Sequence, residues 1–132
     1  MSINTIVSEI AEKLRKNLKS IKRKGIRKED DITNKLASVL GARLKVVVDR
    51  LEIDLVLNGI PIEVEYNKNF YEGFCQVVAY KIVTNAKDGI LIHFLDDVSK
   101  EFLEKITTIS KILKIPAIIV NLRREEVYEC CP

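Results

Sequence analysis

Residues 51–66 read Leu-Glu-Ile-Asp-Leu-Val-Leu-Asn-Gly-Ile-Pro-Ile-Glu-Val-Glu-Tyr, two runs rich in aliphatic side chains separated by Asn58-Gly59. Asn-Gly is the strongest short-range hairpin signal, because a type I′ turn needs φ > 0 at both central residues. A two-residue loop fixes the register: Leu57 opposite Ile60, Val56 opposite Pro61, Leu55 opposite Ile62, Asp54 opposite Glu63, Ile53 opposite Val64 and Glu52 opposite Glu65. One face then carries Leu51, Ile53, Leu55, Leu57, Ile60, Ile62, Val64 and Tyr66, while the other gathers Glu52, Asp54, Glu63 and Glu65. Like charges directly opposite each other cost roughly 0.2–1 kcal/mol per pair. A divalent cation is the natural compensation, and Asp54 and Glu63, as cross-strand neighbours, can both reach one ion. The plainer alternative is a solvated face whose acids are neutralised by lysines.

Outward from the hairpin, Arg43–Val48 is a β-branched run and makes a third strand. Upstream, Ile3, Ile6, Val7, Ile10, Leu14, Leu18 and Ile21 recur at spacings of three and four, predicting an amphipathic helix over residues 3–21. Residues 22–29 break the period at Gly25 as a basic connection. A second helix follows, capped by Asp30 or Asp31, striped by Ile32, Leu36, Val39 and Leu40 and ended by Gly41. Downstream come a helix over about 70–83, a nearly continuous apolar strand over 89–95, a helix over about 98–113 and, after Pro116, a buried strand over 117–120. The polar tail from Arg123 is assigned no role. The order α-α-β-β-β-α-β-α-β predicts one α/β domain: a mixed sheet of about five strands between helices, its acidic face towards a helix-lined cleft.

A chain of 132 residues, 47% hydrophobic and 31% charged, suffices for one globular core. No apolar stretch approaches the roughly 20 residues of a membrane span, and the N-terminus lacks a signal-peptide h-region. The reading is therefore a cytoplasmic protein without a membrane partner. Three cysteines, Cys75, Cys130 and Cys131, form neither a disulfide framework nor a four-ligand metal site. Abundant Lys, Glu and Ile beside a single Gln lean towards a thermophilic source.

The net charge of +3 conceals an asymmetry: residues 1–28 carry +7 and residues 29–132 carry −4. Lys16, Lys19, Lys22, Arg23, Lys24, Arg27 and Lys28 make a basic block joined to an acidic body. Such a block can hold a polyanion, since Lys and Arg attract phosphates over long range. A solvated helix face is the plainer reading of the same residues. Next to a cluster of carboxylates, the block points to nucleic acid.

Asp54 on one strand, followed across a short turn by Glu63-Val64-Glu65, resembles the motif of the PD-(D/E)XK nuclease superfamily: an acid, then acid-any-Lys on the next strand. Gln76-Val77-Val78-Ala79-Tyr80, on the following helix, is similar to the Gln-x-x-x-Tyr motif of RecB-type members. The resemblance covers residues 29–121. It implies a restriction-endonuclease-like fold, Mg²⁺ or Mn²⁺ held by Asp54 and Glu63, DNA as partner, and phosphodiester hydrolysis. It also implies active-site places for Glu65, Gln76 and Tyr80. A homodimer would suit the cutting of two strands, although no residue pattern marks an interface.

One departure matters: the motif Lys is Glu65 here. Without a cation near the attacked phosphate, a site of this kind loses several kcal/mol of electrostatic stabilisation. If Asp49-Arg50 is a two-residue turn, Val48 pairs with Leu51 and Lys45 falls opposite Asp54, which would restore a cation. Lys68 or Lys81 could instead reach in, or the site could bind without cutting. A helix-borne acid is left open among Glu29, Asp30, Asp31, Glu9 and Glu12. His93, the only His, lies in a buried strand and reads as a hydrogen-bonded core imidazole rather than a base.

Overall fold

A computed structural model describes residues 2–23 and 29–130, except the side chain of Arg23. Lys24, Arg27, Lys28 and Cys131 therefore lie outside the described residues. The apolar spacing of the N-terminal segment produces α1 (Ile3–Arg23), whose Val7, Ile10, Leu14, Leu18 and Ile21 are buried. In α2 (Glu29–Leu40), Ile32, Leu36 and Leu40 are buried, and Gly41 ends the helix at φ +66°. Glu29, Asp30 and Asp31 all stand in its first turn, so neither aspartate is the cap; all three face the positive end of the helix dipole.

Strands β1 (Arg43–Val48), β2 (Leu51–Leu57) and β3 (Ile60–Tyr66) follow as an antiparallel meander. Both connections adopt positive φ at both residues, 47° and 67° at Asp49-Arg50 and 49° and 80° at Asn58-Gly59. Next come α3 (Glu72–Thr84), β4 (Ile90–Leu95), α4 (Lys100–Leu113, capped by Ser99) and β5 (Ala117–Asn121). The tail is not idle: Glu126–Cys130 forms β6, antiparallel to β5. Its five residues offer too short an apolar pattern to announce a strand. Burial of Val127 and Cys130, and Arg15 of α1 donating to the Val127 carbonyl at 3.0 Å, hold it in place.

The result is a six-stranded mixed sheet in the order β1-β2-β3-β4-β5-β6, with β3, β4 and β5 mutually parallel. Helices α1 and α2 pack on one face against Leu55, Ile62, Val64, Ile92 and Val120. Helices α3 and α4 cover the other, against Leu91, Ala117 and Ile119. The α/β sandwich is the expected one, with one strand more. Among the described residues no helix is long and apolar enough to cross a membrane.

The β2–β3 hairpin departs from its simple register. Pairing runs Leu57↔Ile60, Val56↔Pro61 and Leu55↔Ile62, and stops. The expected pairs Asp54↔Glu63, Ile53↔Val64 and Glu52↔Glu65 do not form, because carboxylates take the amides that β2 carbonyls would have taken. Asp54 Oδ2 accepts the Val64 amide at 2.8 Å, and Glu29 Oε1 accepts the Tyr66 amide at 3.1 Å. Strand β3 remains tied on its other side, where Ile62↔Ile90 through Tyr66↔Phe94 pair it with β4. The two strands part at the positions that carry the acids.

Candidate active site

Glu63 and Glu65 stand on the α3 face of β3, beside Leu91 and His93 of β4. Each is only 5% exposed, an unusual place for a carboxyl group without a cationic partner. Glu63 neighbours Asp54 and Glu65, and Glu29 neighbours Glu65, closely enough for each to disfavour ionisation of the other. The four carboxyl groups thus form one cluster, in which Glu63 and Glu29 are the members held towards the protonated form. Burial, then the neighbouring Asp54 and Glu65, push Glu63 up to about 11. Burial and Glu65 raise Glu29 to about 7. Among the described residues none of the four forms an ion pair.

Helix α3 supplies the opposing wall. Tyr80, 3% exposed, donates its phenolic hydrogen to Glu63 Oε1 at 2.7 Å. Burial and the Glu63 charge push its own ionisation upward, so it remains a donor. Gln76, one turn earlier, is exposed and lines a cleft of about 390 Å³ that opens over Glu29, Glu63 and Glu65. Tyr80 therefore grips the site from within, while Gln76 faces its solvent side. Helix and sheet come this close because Gly73 sits over Leu91 and Glu65; a Cβ there would lie 2.4 Å from Leu91 Cδ1 and 3.0 Å from Glu65 Cγ.

Several expected members are placed elsewhere. Glu52 is exposed on β2, opposite Val47, and Glu29 takes the fourth position in the carboxyl group instead. Glu29 thus emerges from the acids left open on the first two helices, reaching the cleft where β2 and β3 have parted. Lys45 does fall level with Asp54, since Leu44↔Leu55 and Val46↔Ile53 flank it. Its backbone, however, takes φ 50°, which turns the side chain out of the strand alternation and brings Nζ to 3.9 Å from Asp30 Oδ1. The stem of Lys81 packs near Gly89, away from the cleft. Lys68 is the one basic side chain lining the cleft among the described residues.

Of the basic block, Lys16 and Lys19 are exposed on α1, on the sheet face away from α3, and Lys22 pairs with Glu125 at 3.0 Å. His93 is fully buried, edge-on to Phe102, and both ring nitrogens lack a hydrogen-bond partner. It is a core imidazole, as expected, without a hydrogen bond of ordinary geometry; burial, partly offset by a Lys68 backbone group, lowers it to about 4, so it is neutral near pH 7. Tyr71, Glu72 and Cys75 also line the cleft, although no sequence motif marks them. Their common signal is position, directly after a strand that carries two acids.

The donor set of the cleft is all oxygen, the kind that hard divalent cations take. Among the described residues no three His, Cys, Asp and Glu side chains are arranged to hold a metal ion; Asp54 and Glu29 are turned onto backbone amides and Glu63 onto Tyr80. The fit lies in donor chemistry and in protons that a cation could replace, not in a preset cage. No family model matches the sequence, and no curated protein or solved structure matches it significantly.

Proposed function

We propose that this protein is a Mg²⁺- or Mn²⁺-dependent deoxyribonuclease of the PD-(D/E)XK type with a divergent active site, acting on DNA in the cytoplasm. The observation that carries the reading is the convergence of Asp54, Glu63, Glu65 and Glu29 where β2 and β3 part, with Tyr80 of the Gln-x-x-x-Tyr pair bonded to Glu63. Asp54 and Glu63 would hold the metal, with Glu65 and Glu29 beside them. A divalent cation bound there supplies charge stabilisation and lowers the pKa of a bound water. Tyr80 orients Glu63, Gln76 offers an amide to the substrate side of the cleft, and Lys68 is the cation nearest in role to the missing motif Lys. The exposed lysines of α1 serve as a general phosphate-binding surface.

The test is cleavage of single-stranded, duplex and branched DNA with Mn²⁺, run beside Asp54→Ala. Cutting that needs both Mn²⁺ and Asp54 supports the reading; no cutting, or equal cutting by the mutant, sinks it.

A second reading, a nuclease-derived DNA-binding or assembly module without activity, is favoured by one observation: Glu65 stands in the place of the motif Lys while Lys45 is drawn to Asp30. It predicts salt-dependent DNA binding that survives Asp54→Ala and weakens when Lys22, Arg23 and Lys24 are changed to Ala.

A further inference from the structure

We infer that the loop between β3 and α3 is the nucleotide-binding wall of the cleft and takes an unpaired nucleotide, with the Tyr71 ring against the base and the Lys68 ammonium against its phosphate. The inference rests on the nuclease reading for the identity of the polymer. Its observations are separate. The loop joins the strand that carries Glu63 and Glu65 to the helix that carries Gln76 and Tyr80, so whatever it holds is delivered beside the carboxyl groups.

The loop is fixed at several points. The Asn67 amide donates to the Phe94 carbonyl at 2.9 Å, and its side chain exchanges two hydrogen bonds with Asp96, at 2.9 and 3.0 Å. Asn69 Nδ2 donates to Glu72 Oε1 at 3.2 Å. Phe70 lies under the Lys105 ammonium, 5.3 Å from its centroid, and meets Tyr71 edge-on at 5.4 Å. Phe70 is thus the anchor, whereas Tyr71, 49% exposed, presents a large ring on the wall of the cleft, its hydroxyl accepting from Asn69 Nδ2 at 3.5 Å.

Within a duplex each base face is already covered by its neighbours, so a ring standing at one side of a cleft finds nothing to stack on. An unpaired base offers that face, and stacking is indifferent to its identity. Electrostatics requires the second member. A phosphodiester brought towards four carboxyl groups is repelled as they ionise, and Lys68 is the described cation on the wall that offsets this.

Binding of a labelled oligothymidine and of a duplex of equal length, both in Ca²⁺, tests the inference without relying on cleavage. The wild type should prefer the single strand. Tyr71→Ala should lose about tenfold or more on the single strand and little on the duplex, Tyr71→Phe should retain affinity, and Lys68→Ala should lower the slope of log K against log salt by about 0.7. Tyr71→Ala binding like wild type, or losing equally on both DNAs, overturns the inference; melting curves show that the exposed-site variants are folded. Cleavage with Mn²⁺ separates the two levels. Single-strand binding through Tyr71 without cutting leaves this inference standing and overturns the nuclease reading. Metal-dependent cutting unaffected by Tyr71→Ala does the reverse, and neither binding nor cutting overturns both.

Discussion

The Asp54 carboxylate lies 2.8 Å from the Val64 amide, where continued antiparallel pairing would place the Ile53 carbonyl. A side chain has replaced a rung of the ladder, and the position it occupies is where β2 parts from β3. Asp54 thus has a structural role inseparable from its place in the carboxyl group. Asp54→Ala leaves the Val64 amide without its acceptor, at about 1–3 kcal/mol. Asp54→Asn keeps an oxygen for it. We expect the alanine variant to melt roughly 3–10 °C below wild type and the asparagine variant to stay nearer to it, while both lose Mn²⁺-dependent cutting. Equal melting temperatures for the two variants would show that the Asp54–Val64 bond contributes nothing to the fold.

The raised carboxyl groups give the metal-free protein a definite pH response. An ordinary Glu titrates near 4.5, whereas burial holds Glu29 at about 7 and Glu63 at about 11. Between these values the native state binds more protons than the unfolded chain. What these two groups contribute is therefore fullest below about 4.5 and falls as pH rises, through about 7 for Glu29 and onward for Glu63, at no more than about 1.4 kcal/mol per pH unit for each retained proton, while buried His93, lowered to about 4, offsets one such slope below its ordinary 6.5. A divalent cation that replaces those protons acts in the opposite sense, stabilising more at high pH. We expect melting temperature in EDTA to fall between about pH 5 and 8 and Mn²⁺ to restore more of it at pH 8. A melting temperature in EDTA flat across this range contradicts the protons retained by Glu29 and Glu63, and indifference to Mn²⁺ at pH 8 contradicts the metal.

Local signals made most of the fold legible. Asn58-Gly59 set the hairpin register near the turn, the spacing of Ile3 to Ile21 gave α1, and even the poor turn pair Asp49-Arg50 adopted the φ values that its place between two strands demanded. What the sequence hid were choices between equivalent partners. Whether Val64 donates to a carbonyl or to a carboxylate depends on Asp54 lying beside a helix that brings Glu29 to Tyr66, a contact across 37 residues. Lys45 illustrates the same limit: its register was right, but one left-handed residue redirected its side chain to Asp30. Strand β6 was hidden because its stability comes from α1 and β5 rather than from its own composition.

Gln76 and Tyr80 share a motif but not a role. Tyr80→Phe removes a hydroxyl that donates to Glu63 at 2.7 Å while leaving the buried ring in place. The orphaned carboxyl group should cost about 1–3 kcal/mol. Because that bond also favours ionised Glu63, its loss should weaken Mn²⁺ binding, by about 10–100-fold on the scale usual for residues that orient a ligand. Gln76→Ala, at an exposed position, should leave melting temperature unchanged and affect DNA cleavage alone. Mn²⁺ titration beside thermal melts checks both, and a Tyr80→Phe protein with wild-type Mn²⁺ affinity would show that the hydroxyl serves packing only.

Gly73 is required by closeness rather than by backbone freedom. A methyl group there would meet Leu91 Cδ1 at 2.4 Å and Glu65 Cγ at 3.0 Å, with Leu91 fully buried and unable to swing into solvent. Helix α3 would have to move off the sheet or Glu65 would have to turn, and overpacking of this kind costs about 1–3 kcal/mol. Shortening the obstacle is the internal control: Leu91→Val removes the δ-carbons and should recover part of what Gly73→Ala loses, although alone it opens a small void and destabilises the protein. We expect a double mutant more stable than the two single losses added together, measured by denaturant unfolding of all four proteins. Strict additivity would place the strain of Gly73→Ala at Glu65, and single-strand binding by that variant would then fall even where its stability is restored by Mn²⁺.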